Sequence, residues 1–300
     1  MAPGVAAVIR HASSASVHPF TPRHRALMST PYPPPLDQLL ALGEPEFGHG
    51  NPWPDYLAMG FTTEHVPELI RMVGDEELYA GDDGELETDM QPEWFAYIHA
   101  WRTLGLLRAE AAIGLLVALI GGDNDWAHEE LPTVLGMIGP AALEPLRAAL
   151  ARWSLALEPW AAGAAGAGLV EIAQRFPETR DAAVAALTRQ LSWWVRHDPD
   201  LNAMLVHDLV ELHAVEAAPV IQEAFAADAV DTSYGDPDWE DVQVALGLLP
   251  ERITPRPVYV RPARLRPMSF LRVQAAKPAA APKPHRKAGK AARQRKRKRR

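Results

Sequence analysis

Between Leu36 and Pro250 apolar residues recur mostly three or four positions apart. TEHVPELIRMV, RAEAAIGLLVALI, PAALEPLRAAL, ETRDAAVAALTRQL and AVEAAPVIQEAF show this most clearly. Such spacing gathers apolar side chains on one face of a helix and predicts a run of amphipathic helices. Pro67, Pro145 and Pro219 fall early in three of these segments. A proline there is tolerated, because the amide it removes would have no partner in the first helical turn.

A second pattern overlies the first. The blocks YLAMG, WRTLG, PTVLG, LVEIA, VHDLV and QVALG each end in a large apolar residue followed by a small one. Their fourth positions are Met59, Leu104, Leu135, Ile172, Leu209 and Leu246, separated by 45, 31, 37, 37 and 37 residues. A period of this length is the mark of stacked supersecondary units. Each unit reads as a helix ending at a small residue, a short turn and a second helix, with inner alanines letting neighbours approach. The expected fold is all-α: a right-handed α-solenoid of five or six helical hairpins spanning 31–250. Trp101, Trp153 and Trp160 are expected in its core or between its units.

WRTLGLLRAEAAIGLLVAL, PTVLGMIGPAALEPLRAAL and VELHAVEAAPVIQEAF resemble HEAT-like repeats of the phycobilisome-lyase type. YLAMGFTTEHVPELIRM, followed by an acidic stretch, is similar to a group of bacterial HEAT-like proteins, some of which end in a SEC-C-type zinc motif. The resemblance implies a scaffold that binds other proteins, with a lyase-type enzyme acting on a chromophore-bearing protein as an alternative. With no cysteine, this chain lacks the zinc motif and has a Lys/Arg-rich segment in its place. WRTLG also fits the start of a tetratricopeptide unit, but the other units lack its tryptophan.

Charge divides the chain. Of 30 Lys and Arg, 18 lie from Glu251 onward with only one of the 38 acids, so the first 250 residues hold 12 arginines against 37 acids. Segment 75–93, DEELYAGDDGELETDMQPE, concentrates acids and reads as a solvated insertion; Asp82 and Asp83 within it are candidate protein contacts. It lacks the ligand order of an EF-hand loop. Segment 251–276 is rich in Pro and Arg and predicts an extended linker with apolar anchors. Segment 277–300 carries 12 Lys or Arg and no acid and predicts a disordered tail. Its Lys287, Lys290, Arg293, Arg295, Lys296, Arg297, Lys298, Arg299 and Arg300 suit an anionic partner, including RNA or DNA, with little sequence choice. A disordered tail so charged is also expected to fold back onto the acidic body. Segment 1–30 has no acid and reads as a disordered or mis-annotated extension, with Met28 a plausible start.

Catalytic signatures are sparse. AHEELP has Pro132 where a zincin helix needs its second histidine, and GAAGAG at 163–168 lacks the strand and Lys-Ser/Thr of a phosphate loop, so close helix packing explains it better. No catalytic residue, metal or cofactor is expected. WWVRHDPDLN at 193–202 is the most varied stretch of the body. It reads as an inter-unit turn capped by Asp198 or Asp200. Trp193, Trp194 and Arg196 are candidate protein-binding residues, since Trp and Arg dominate interface hot spots. No apolar run reaches the roughly 20 residues of a membrane span, and the Arg-, Ala- and Pro-rich composition suggests a bacterial source, so a cytoplasmic location is expected.

Overall fold

The computed structural model describes residues 32–45, 53–79, 91–122, 124–232 and 237–255. Among them are ten α-helices, several single 3-10 turns and no strand. The helices are α1 Val66–Val73, α2 Ala96–Leu106, α3 Ile113–Ile120, α4 Asp125–Ile138 and α5 Leu143–Ala156. They continue with α6 Pro159–Arg175, α7 Arg180–Leu191, α8 Pro199–Glu211, α9 Ala218–Ala226 and α10 Trp239–Ala245. No helix among the described residues is long and apolar enough to cross a membrane. A separate unit, Arg256–Arg300, lies outside the described residues, as do Asp82, Asp83 and all the tail residues named above.

Four helix pairs are complete: α2 with α3, α4 with α5, α6 with α7 and α8 with α9. Each second helix is entered through one 3-10 turn, Glu110–Ala112, Pro140–Ala142, Pro177–Thr179 or Val215–Ala217. Two of the turns between partners, α2 to α3 and α8 to α9, use the left-handed region. Arg108 has φ 51° and His213 φ 49°, and the next amide in each case bonds back to the carbonyl of Leu104 or Leu209 at 3.0 and 2.9 Å. This closure satisfies a helix-terminal carbonyl that would otherwise be orphaned.

The repeat positions point inward. Leu104, Leu135, Ile172 and Leu209 have no exposed surface, and Leu246 is also buried. The first unit is incomplete: Tyr56–Gly60, expected as a helix, forms a single turn that closes when the Phe61 amide bonds the Tyr56 carbonyl. Gly60, with φ 95°, takes the conformation that ends it.

First helices form one packed row, α2 against α4, α4 against α6 and α6 against α8. Second helices form another, α3 against α5, α5 against α7 and α7 against α9. The first row is close because glycine stands where the next helix crosses. A methyl group at Gly105 would lie 3.2 Å from a Val134 methyl, and one at Gly136 would lie 2.6 Å from the Glu171 Cβ. Both glycines occupy the fifth position of a repeat block, and both neighbours the third position of the next. GAAGAG lies inside α6, where Gly163 and Gly166 meet Met204 and Asp208 of α8, and Gly168 meets Leu146 of α5. Close packing thus accounts for all three.

At the C-terminal end of the described body the linker is anchored by charge. Arg252 bonds both carboxylate oxygens of Asp238, at 2.6 and 2.9 Å, and pairs with Asp241 at 2.7 Å. Glu240 accepts the Thr254 amide at 2.9 Å. Ile253, an apolar candidate anchor, is 78% exposed. Three acids of α10 and its cap converge on one guanidinium here, and the rest of the linker expected to carry apolar anchors, 256–276, lies outside the described residues.

Candidate functional site

Two regions concentrate chemistry, one closed and one open. The closed region lies in the first row. Arg102 on α2 forks onto Glu130 of α4, with its Nε 2.8 Å from Oε2, and Trp101 Nε1 donates to the same oxygen at 3.1 Å. The Arg102 side chain is 3% exposed and that of Glu130 11%. The Trp53 ring covers the guanidinium at 4.9 Å. Burial opposes the Arg102 charge, but hydrogen bonds and attraction from Glu130 outweigh it and hold the group protonated.

Beside this pair, Tyr56 hydroxyl donates to His99 Nδ1 at 2.7 Å, and His99 Nε2–H donates to the Gly43 carbonyl at 2.9 Å. These contacts fit the neutral Nε2–H tautomer. Burial lowers the His99 pKa and pushes the Tyr56 hydroxyl up to about 12. A tyrosine, histidine, arginine and glutamate so arranged would suit acid–base chemistry if substrate could reach them. Here their hydrogen-bonding atoms are turned on one another, and they fasten the segment at Gly43 and the Tyr56 turn to α2 and α4.

The open region lies in the second row. A groove runs between α5 and α7, floored by Leu150, Ala151 and Ala186 and flanked by Leu155, Trp193, Arg147 and Arg189. Leu155 is 64% and Trp193 40% exposed. Gln190, also lining it, is buried and directs its amide Nε2 to His197 Nε2 at 3.0 Å. His197 Nδ1–H in turn donates to Asn202 Oδ1 at 3.1 Å, and Asn202 Nδ2 donates to the carbonyls of Trp194 and Ala229 at 3.0 and 2.8 Å. Burial lowers the His197 pKa, consistent with a neutral ring that accepts at Nε2. Asp198 caps α8 by accepting the Asp200 amide at 3.0 Å.

The 193–202 stretch is therefore the capped inter-unit turn expected from sequence, and its candidate residues separate. Trp194 packs partly into the core, whereas Trp193 lies on the groove with the Arg196 guanidinium 5.4 Å from its ring centre. Trp101 and Trp153 are buried as expected, but Trp160 is 63% exposed. It falls in the first turn of α6, whose inward positions are taken by Ala161, Ala162 and Ala165. Leu157 and Val195, each within two residues of a groove residue, add further exposed apolar surface at 67% and 75%.

A third group was not apparent in the sequence. Asp208, on α8 against Gly166 of α6, is buried, and its Oδ2 has no hydrogen-bond partner among the described residues. Burial, with a smaller contribution from Glu211, pushes its pKa well above the usual carboxylate range. AHEELP proves structural: His128 Nε2–H donates to the Ile120 carbonyl at 2.9 Å, and Glu130 holds Arg102. Among the described residues no group of three or more His, Asp or Glu is placed to hold a metal.

No protein-family model, curated protein or solved structure matches this chain.

Proposed function

We propose that this protein is a non-catalytic helical-repeat scaffold, a right-handed solenoid of HEAT-like hairpins, that binds a protein partner through its second row of helices. The observation that carries this reading is the contrast in how polar groups are used. The Arg102–Glu130 and Tyr56–His99 groups are consumed in internal bonds, while the groove between α5 and α7 leaves Trp193, Leu155 and Arg189 facing solvent. Exposed tryptophan and arginine beside an apolar floor have the composition of an interface centre.

The 277–300 segment is proposed as a second element, an attachment for an anionic partner, supported by its 12 basic residues and lack of acids. Affinity capture tests the scaffold reading. Proteins retained by the wild-type chain and lost with a Leu155→Glu, Trp193→Ala double variant are the expected result. Identical sets from both chains would remove the groove from the function, and a turnover activity abolished by His99→Ala in a folded chain would overturn the non-catalytic assignment.

A further inference from the structure

The groove's rim differs in charge from the body around it. Residues 36–250 hold nine arginines against 37 acids, yet three of the nine gather at this one place. Arg147 and Arg189 line the groove, and Arg196 stacks on its Trp193 wall. Arg147 is exposed and, among the described residues, is paired with Glu144, one turn back on its own helix. No carboxylate among the described residues pairs with Arg189 or Arg196; Arg108 and Arg152 also lack one and lie over Phe176 and Trp153, while Arg71, Arg102, Arg175 and Arg180 have acidic partners. On so acidic a surface, the gathering of two such arginines with Arg147 beside one apolar floor marks a place where carboxylates can be supplied from outside.

We infer that the groove between α5 and α7 binds an acidic amphipathic helix of a partner protein. This deepens the scaffold reading and rests on it. The floor of Leu150, Ala151 and Ala186, with Leu155 and Trp193 beside it, requires apolar side chains from the occupant. The arginines require carboxylates flanking them. From Arg147 to Leu155 is eight residues of helix, about 12 Å at 1.5 Å per residue, so some two turns of a docking helix span it. Apolar anchors at i, i+3, i+4 and i+7 are the form in which a helix fills such a groove.

The general negative charge of the body does not forbid an acidic occupant. Charges beyond the roughly 8 Å screening length at physiological ionic strength are largely damped, while guanidinium–carboxylate contacts are made at about 2.8 Å. A nucleic acid is a poorer fit. Its closely spaced phosphates would continue past three arginines onto acidic surface, whereas a short helix ends where the basic rim ends.

Fluorescence anisotropy with the full chain tests this directly. The probe is a synthetic helix of about three turns, with Leu and Phe on one face and Glu on its flanks, compared with the same peptide carrying Gln for Glu. The Glu peptide is expected to bind about tenfold more tightly than the Gln peptide, the gain from two or three charge-assisted contacts on an exposed rim. Arg189→Glu, which reverses the charge, is expected to remove most of that difference and the milder Arg189→Gln a part of it, both leaving the circular dichroism unchanged. The Arg189 comparison also separates groove binding from attraction to the basic 277–300 segment, which every variant retains.

Equal affinity for Glu and Gln peptides, an Arg189 variant that binds like wild type, or no binding by either peptide would overturn the acidic-helix assignment. Capture that still depends on Trp193 would then leave the scaffold reading standing. A single-stranded RNA that displaces the peptide and is itself lost with Arg189→Glu would assign the groove to nucleic acid instead. A sedimenting dimer dissolved by Arg189→Glu would assign it to a second copy of the chain.

Discussion

The first row of helices, α2, α4, α6 and α8, carries glycines at its crossings and a buried Arg102–Glu130 pair. The second row, α3, α5, α7 and α9, leaves a groove with Trp193 on it and two arginines that no carboxylate among the described residues pairs. The richer chemistry is in the row where it cannot be reached. Buried polar groups must be satisfied because an unpaired one costs about 1–3 kcal/mol, so residues that look catalytic in a list become fasteners once they face one another. Exposed groups meet no such demand. Arginine without a carboxylate and tryptophan with 40% of its surface in water persist only where solvent covers them, and that is where a partner can bind.

Removing half of the buried pair should separate the rows most. Glu130→Ala leaves Arg102 charged and dry and is expected to destabilise the chain by about 3–5 kcal/mol. Urea denaturation followed by circular dichroism measures it; a loss no larger than that of a surface substitution would mean water reaches the pair. Next in size is Gly136→Ala. The added methyl would sit 2.6 Å from the Glu171 Cβ, which cannot swing away as a side-chain tip would. Overpacking costs about 1–3 kcal/mol, against roughly 1 kcal/mol gained in helix propensity. A net loss of up to about 2 kcal/mol is therefore expected, and a stabilised variant would show that α4 and α6 are free to move apart.

The pH dependence follows from groups of opposite sign. Burial raises the folded pKa of Asp208, so its favourable contribution is present at low pH and is lost as pH rises through that raised value. Asp208→Asn keeps the shape without the charge and should raise stability at neutral pH by on the order of 1 kcal/mol. Unchanged or lower stability would mean that the carboxylate has a bonding partner in solution. His99 and His197 act the other way. Their folded values are lowered below the ordinary 6.5, so their contribution is present above that pH and is lost as pH falls through the lowered values. Urea midpoints should accordingly fall on acidification below about 6.5, and the fall should shrink in His197→Gln.

The smallest stability effect belongs to the groove. Leu155→Glu changes an exposed side chain and should shift stability by less than about 0.5 kcal/mol, and Trp193→Ala, which removes a partly covered ring, by on the order of 1 kcal/mol, while both act on partner capture as described above. A large loss of stability from either would erase the distinction between the two rows.

The chain's local chemistry determined much of this in advance. Three- and four-residue apolar spacing marked the helices, early prolines marked the starts of second helices, and the large-small ending of the repeat blocks marked which residue is buried and where the next helix approaches. Leu104, Leu135, Ile172 and Leu209 are fully buried for that reason, and Gly105 and Gly136 are small for it. Helix periodicity and turn chemistry act between residues close in sequence, so they can be read there.

Tyr56–Gly60 carries the same block, but Trp53, Pro54 and Asp55 before it are not helical, and it remains a turn. Trp160 looked like core because tryptophan usually buries, yet its place in the first turn of α6 directs it outward. Only the packed structure decided that Arg102 would meet Glu130, 28 residues away, that Tyr56 would meet His99, 43 residues away, and that α5 and α7 would leave a groove between them. These depend on which helix faces lie opposite each other across the two rows. That is set by the summed shapes of many side chains at once, and no single stretch of sequence contains it.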